Sequence, residues 1–316
     1  MSKALLVLCS SVLEVKVLKP TAALVAAALL TALLVSVMLF FKREVFHQNL
    51  REAGRQPLRA RVKQVRSFAV YYGMIGGREE EILKRFEMVI IQDYAVKGGE
   101  VLSRLGNSVL KIGYLNLAKY AGRSYGRCRL FDWQDVAVEY DPNWKLYTMD
   151  TRSEKWRQFI LCSADELFRM GFDGILFDDV DVAGVHPELK DSMAELIKEV
   201  RKKHPDKVLA LNRGFALLDL VRDHIDFILI EDLGTRWDFS IKDYRKLTPS
   251  ELDWLLRQVD KVKQLELPAF SLAYSREPCD ELDLYARKLA AELGLPVYTG
   301  DWLLHELRAP YECREK

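Results

Sequence analysis

The 316-residue chain lacks the short motifs that carry several common chemistries. There is no CxxC and no HExxH, which argues against a structural zinc, a thiol redox centre or a zincin. No P-loop, GxGxxG turn or EF-hand loop is present, so nucleotide, dinucleotide and calmodulin-type calcium readings lose their usual support. Glycine (17) and proline (10) are too sparse for a collagenous or disordered chain, and no internal repeat or low-complexity stretch appears. Charge of one sign is also missing. Lys and Arg total 47 against 46 Asp and Glu, a net charge of +1 that offers no global attraction to nucleic acid. The five cysteines (Cys9, Cys128, Cys162, Cys279 and Cys313) are scattered, and four of them allow up to two disulfides whose existence spacing cannot decide.

What is present begins with a long apolar run. Thr21 to Phe41 holds 21 residues without a charge, and about 20 suffice to cross a bilayer as a helix. The run is longer than a signal-peptide core and has no small-residue cleavage site before Lys42 and Arg43, so an uncleaved transmembrane anchor is expected. Residues 1–20 then form a flank, 42–66 a cationic linker with an arm on anionic lipid as the sharper reading, and 67–316 the globular domain. The basic residues crowding the C-terminal side would by themselves place that domain in the cytoplasm.

From Phe68 onward, short β-branched and aromatic runs alternate with helical periodicity. The runs are Phe68 to Gly73, Met88 to Gln92, Val109 to Leu117, Gly174 to Asp178, Val208 to Asn212, Phe227 to Glu231, Ala269 to Tyr274 and Pro296 to Gly300. Between them lie helix candidates. Ser153 to Met170 carries Trp156, Phe159, Ile160, Leu167 and Phe168 at helical spacing, with Thr151 and Glu154 as an expected capping box. A second helix opens at Pro187 and carries Met193, Leu196, Ile197 and Val200 on one face. Eight strands with intervening helices over about 250 residues predict an α/β fold, a (β/α)8 TIM barrel, with a doubly wound sheet as the alternative. Ala118 to Asp150 shows no clear element.

In such a barrel the site forms where strands finish. Those positions hold Tyr71, Tyr72, Asp93, Tyr94, Asn116, Asp178, Asp179, Asp181, Asn212, Arg213, Glu231, Asp232, Tyr274 and Asp301. Rings stack on pyranose faces and paired carboxylates perform acid/base work, which points to a sugar site. Asp178 and Glu231 form the candidate catalytic pair, since each ends an apolar strand where an unused charge would be costly. Tyr72, Asp93, Tyr94, Asn116, Asp181, Asn212, Tyr274 and Asp301 are candidate substrate contacts. Each acid could instead cap the following helix. Asp179 is expected on the alternate face or as a cap, and Asp181 back in the mouth. A metal held by Asp178, Asp179 and Asp181 is the weaker reading, so no metal and no cofactor are expected. His47, His186, His204, His224 and His305 fall on flanks and helices as surface or capping residues.

The segment Met170 to Asp181, MGFDGILFDDVD, resembles the signature of glycoside hydrolase family 114, the endo-α-1,4-polygalactosaminidase-like enzymes related to the hydrolase domain acting on the Pel exopolysaccharide. The Tyr-Tyr-Gly first strand, Ile91 to Tyr94, the GYLN of Gly113 to Asn116, the DTRSEKW of Asp150 to Trp156, Leu211 to Gly214, and Ile230 with Glu231 fit it in order. The resemblance runs from about Ser67 to Asp301. It implies a (β/α)8 barrel that hydrolyses amino-sugar polymers outside the cytoplasm, with the fourth-strand acid on Asp178, the following acid on Asp181 and the sixth-strand acid on Glu231. Where many relatives carry Gly-Glu after the third strand, this chain reads Leu117, Ala118, Lys119. The expectation is therefore a membrane-anchored glycosidase acting on a polysaccharide or oligosaccharide, with its domain outward and no nucleic-acid partner. A barrel that binds or assembles saccharide without turnover is the alternative, and a cytoplasmic membrane-bound barrel of unrelated chemistry the weaker third.

Overall fold

The computed structural model describes residues 57–311 and residue 313. The expected anchor at 21–41, the flank before it and most of the cationic linker lie outside them. Among the described residues no helix is long and apolar enough to cross a membrane.

A parallel strand covered on both faces has no polar side to show, so its residues are apolar throughout. Met88–Ile91, Val208–Asn212 and Phe227–Ile230 are buried at every position. The strands in chain order are β1 Phe68–Tyr71, β2 Met88–Ile91, β3 Leu110–Asn116, β4 Lys119–Tyr120, β5 Ala137–Asp141, β6 Leu146–Met149, β7 Gly174–Asp178, β8 Val208–Asn212, β9 Phe227–Ile230, β10 Thr235–Asp238, β11 Asp243–Lys246, β12 Ala269–Tyr274 and β13 Val297–Gly300. Eight of them pair in the order β1-β2-β3-β7-β8-β9-β12-β13, and the pairs are parallel. These are the eight runs read from the sequence, three of them to the residue. The sheet curls until β13 lies beside β1 without a backbone ladder between them. Side chains span the seam instead: Phe68 meets Phe270 at 5.3 Å and Tyr298 at 6.2 Å between ring centres. The result is a TIM-like barrel, nearly closed.

The helices are α1 Leu58–Val62, α2 Gly77–Leu83, α3 Glu100–Leu105, α4 Glu154–Met170, α5 Val182–Val185, α6 Lys190–Lys203, α7 Leu218–Val221, α8 Pro249–Gln264 and α9 Glu281–Leu293. α4 buries Trp156, Phe159, Ile160 and Leu167 as its periodicity requires. The Trp156 indole donates to the Leu117 carbonyl at 3.0 Å, tying the helix to the end of β3. The expected capping box does not form. Ser153 is the N-cap, and Thr151 instead bonds Ser192 at 2.6 Å, joining α4 to α6. Pro187 opens a 3₁₀ turn, Pro187–Leu189, ahead of α6, whose Met193, Leu196, Ile197 and Val200 are all buried.

The segment without a sequence-level element holds a three-stranded antiparallel sheet, β4-β6-β5, and the excursion after β9 makes a β10–β11 hairpin. The end of the expected linker is also structured: Val62 and Val65 are buried, and Arg59 pairs with Asp226 at 2.7 Å. Two disulfides form, Cys128–Cys162 and Cys279–Cys313.

Candidate active site

Three neighbouring barrel strands end the same way. β7 finishes at Asp178, β8 at Asn212 and β9 one residue before Glu231, and each of these polar residues is followed by a residue in the left-handed region: Asp179 (φ 53°), Arg213 (φ 60°) and Asp232 (φ 64°). For a non-glycine residue this conformation costs roughly 1–3 kcal/mol and persists where its surroundings hold it. Here the Arg213 N–H is held by the Leu229 carbonyl at 2.8 Å. In a regular strand successive side chains point to opposite faces. The left-handed step breaks that alternation, so both members of each pair line one cavity. Asp179 is thus a wall of the site, contrary to the alternate-face or capping expectation.

Hydrogen bonds connect the three strand ends. Asn212 Nδ2 donates to Asp178 Oδ1 at 2.8 Å and to Glu231 Oε2 at 2.6 Å, placing one amide between two carboxyl groups. Two oxygens held by one nitrogen can be no farther apart than the sum of those bonds, 5.4 Å. The Tyr274 hydroxyl donates to Glu231 Oε1. Asn116 at the end of β3 donates to Asp179 and to the Tyr114 hydroxyl, and its own oxygen accepts the Lys119 N–H at 2.6 Å. Lys119 Nζ lies 2.7 Å from Asp141 and 3.3 Å from Asp179.

Crowding of acids in a dry pocket shapes their ionisation. Burial first, then the charges of Asp232 and Asp178, pushes Glu231 up to about 7. Burial also raises Asp178, against the opposing hydrogen bonds from Asn212, the Asp179 N–H and Tyr114. Asp179 is pushed up to about 8 by burial and by Asp178. Burial raises Asp232 too, with Arg236 and Arg213 opposing. Tyr72, Tyr114 and Tyr274 are held well above the ordinary phenol value by burial beside these carboxyls, which keeps them neutral hydroxyl donors.

The cavity above this floor measures about 450 Å³. Its upper wall is aromatic and comes from three separate loops. Trp144, at the tip of the β5–β6 hairpin, meets Phe239 of the β10–β11 hairpin at 5.2 Å and Trp302 after β13 at 6.0 Å. Trp302 stacks on Trp237 at 4.8 Å with 12° between the ring planes.

Of the residues expected at the site, Tyr72, Asp178, Asp181, Asn212, Glu231 and Tyr274 line the cavity. Asn116 sits behind it, orienting Asp179. Three stand apart. Asp93 is buried against Arg123 as an ion pair, and the Tyr94 hydroxyl donates to the Tyr72 carbonyl while Arg123 covers its ring. Asp301 accepts the N–H groups of Leu303 and Glu306 and so shapes the loop that carries Trp302. Asp179, Arg213 and Asp232 stand at the expected strand ends but were not among the expected catalytic or substrate-binding residues, and Lys119, Arg236, Trp144, Trp237 and Trp302 were not read as site residues. The signal available was the doubling of polar residues at strand ends, Asp178-Asp179, Asn212-Arg213 and Glu231-Asp232. His305 borders the cavity, whereas His186 pairs with Glu139 and Glu188. Among the described residues the one cluster of cation-ligand type is Cys279, Asp283 and Cys313, where both sulfurs are committed to a disulfide.

No curated protein matches the chain by sequence. Among solved structures, the glycoside hydrolase domain of PelA from Pseudomonas aeruginosa superposes with a TM-score of 0.67 at 22% identity, covering 76% of this chain and 96% of that one. Ega3 of Aspergillus fumigatus, solved with galactosamine, gives 0.57 at 13% identity, covering 76% and 93%. An α-galactosidase of Thermus thermophilus in complex with stachyose gives 0.50 at 14%, covering 77% and 64%. At these identities the likeness establishes the shared barrel. The sequence profile of glycoside-hydrolase family GH114 matches residues 56–295, most of the chain, and the protein belongs to that family of glycosidases.

Proposed function

We propose that the protein hydrolyses glycosidic bonds in an amino-sugar polysaccharide, with Asp178 as nucleophile and Glu231 as acid and base. The observation that carries this reading is the single Asn212 amide bonded to both carboxyls. Retaining glycosidases place their carboxyl groups about 5–5.5 Å apart, whereas inverting enzymes leave about 6.5–9.5 Å for a water between them. One amide bonded to both carboxyls keeps them close together, and the mechanism takes the retaining course on that basis.

The chemistry then runs in two steps. Asp178 attacks the anomeric carbon as Glu231, protonated below about 7, gives its proton to the departing oxygen. The bond to the leaving sugar breaks and a glycosyl ester of Asp178 forms. Esterification removes the Asp178 charge that helped raise Glu231, so Glu231 becomes a better-ionised base. It takes a proton from water, the water oxygen attacks the anomeric carbon, and the ester bond to Asp178 breaks.

The substrate class rests on charge. Asp178, Asp179, Asp181, Glu231 and Asp232 outnumber Lys119, Arg213 and Arg236 around the cavity, and their mutual repulsion is part of what holds protons on Asp179 and Glu231. A cationic amino sugar relieves that repulsion, and the structural neighbour Ega3 was solved with galactosamine. Lys119 spends its charge on Asp141 and Asp179, so its presence is compatible with turnover by the other pair.

Full-length protein is expected to release reducing ends from α-1,4-linked galactosamine polymer. Asp178→Asn and Glu231→Gln should abolish release, and proton NMR should show the α-anomer formed first. Unchanged turnover in either variant would remove that residue from its role, and a β-anomer first would overturn the close-pair mechanism. The uncharged run at 21–41 supports a membrane anchor, and two disulfides support a barrel that folds in an oxidising, extracytoplasmic compartment. A reporter fused after Lys316 that is active only in the cytoplasm would refute that placement.

A further inference from the structure

A second cavity of about 310 Å³ adjoins the first and shares four of its residues, Arg213, Glu231, Asp232 and Arg236. Its far wall is Trp254 of α8. That helix buries Leu255, Val259 and Val262 against the barrel, yet Trp254 remains 41% exposed. The indole is braced. Phe215, in the turn after β8, meets it edge-on at 5.8 Å, and the Arg213 guanidinium lies 5.7 Å from its ring centre. The exposed ring stands on the wall of a polar cleft that adjoins the reacting pair.

The second observation concerns Arg213. Its side chain is 25% exposed and lines both cavities, so its guanidinium is within reach of a molecule in either. Arg213 is fixed by its left-handed backbone, by Asp232 at 3.6 Å and by the indole, and it stands on the wall common to both cavities. A pyranose answers both features at once, with a C–H face for the ring and hydroxyl oxygens for the guanidinium.

We propose that this cavity is a saccharide subsite beyond the reacting pair, in which one sugar of the same chain lies on Trp254 with a hydroxyl toward Arg213. The occupant is argued from continuity, because Glu231 forms part of both walls and a chain positioned for protonation by Glu231 leads into this space. The subsite rests on the polysaccharide-hydrolase reading above. It makes Trp254 a determinant of substrate length, separate from the bond-breaking residues.

The test is a length series of α-1,4-linked galactosamine oligosaccharides, two to eight residues, hydrolysed by full-length wild type, Trp254→Ala and Trp254→Phe. Wild-type kcat/KM should rise with length. Trp254→Ala should remove about three- to tenfold at one step of that rise, through KM, consistent with the energy of a single ring contact, and leave the shortest cleaved substrate unchanged. Trp254→Phe should retain most of the step. Equal losses at every length, or no loss at any, would overturn the subsite while leaving the hydrolase reading intact. Wild type that cleaves none of the series would overturn the substrate class and the subsite with it. Matching thermal unfolding of the three proteins separates a lost contact from a damaged helix.

Discussion

Glu231 should make the fold less stable near neutral pH than a neutral residue in its place. Its carboxyl is raised from 4.5 to about 7, so in the folded protein it stays protonated over a range where the unfolded chain would release the proton. Stability from this group is full below about 4.5, declines as pH rises to about 7, and is flat above. At about 1.4 kcal/mol per pKa unit the whole shift amounts to about 3 kcal/mol. Relaxation around a buried charge keeps the realised cost below the full shift, so a gain on the order of 2 kcal/mol is expected. Glu231→Gln fits the same contacts: the amide oxygen can accept from Asn212 while the amide nitrogen donates to the Tyr274 hydroxyl, which is free to rotate. The variant should therefore match wild type at pH 4 and exceed it at pH 8 by about 4–8 °C in Tm, taking 2–4 °C per kcal/mol for a domain of this size. Thermal unfolding at pH 4, 6 and 8 and fixed ionic strength measures this. A Gln variant no more stable than wild type at pH 8 would mean that Glu231 is comfortably ionised there and has no proton to give.

The rate should follow the same groups. A basic limb near pH 7 is expected from Glu231 and an acidic limb above the usual aspartate range from Asp178, read from kcat/KM against pH. Because the Asn212 bonds favour the ionised forms of both acids, Asn212→Ala should move both limbs upward and lower kcat/KM by roughly 10- to 100-fold; limbs that stay in place would refute the bridge as the cause. Each disulfide closes a sequence separation of 34 residues, for which loop entropy gives about 3–4 kcal/mol. Replacing Cys279 and Cys313 together by Ser should lower denaturation stability by that order, and no change would show the cross-link to be idle.

Much of this was readable before any coordinates, for reasons particular to each segment. Strands buried on both faces are apolar runs bounded by turns, so VLALN at Val208–Asn212 and FILI at Phe227–Ile230 stand out from the helices between them. The pairing of Asp178 with Glu231 followed from their place at the ends of such runs. The antiparallel sheet at Lys119–Met149 was hidden because β4 and β5 are short, partly exposed and rich in charge, and β5 shows no buried residue at all. Thr151 and Glu154 have the spacing of a capping box, yet the Thr151 hydroxyl is drawn to Ser192 on a helix about 40 residues away, a partner that local spacing does not encode.

The sequence by itself determined the eight-strand alternation and the acids at strand ends, because burial acts on consecutive residues. Only the tertiary structure decided which polar residues share one cavity. Asp93 was taken by Arg123, Asp179 was turned inward by a left-handed step that needs no glycine, and Trp144 was carried to Phe239 and Trp302 by a hairpin from another part of the mouth. These outcomes depend on contacts between segments distant in the chain, where an unpaired buried charge or an exposed ring finds its partner in space rather than in sequence.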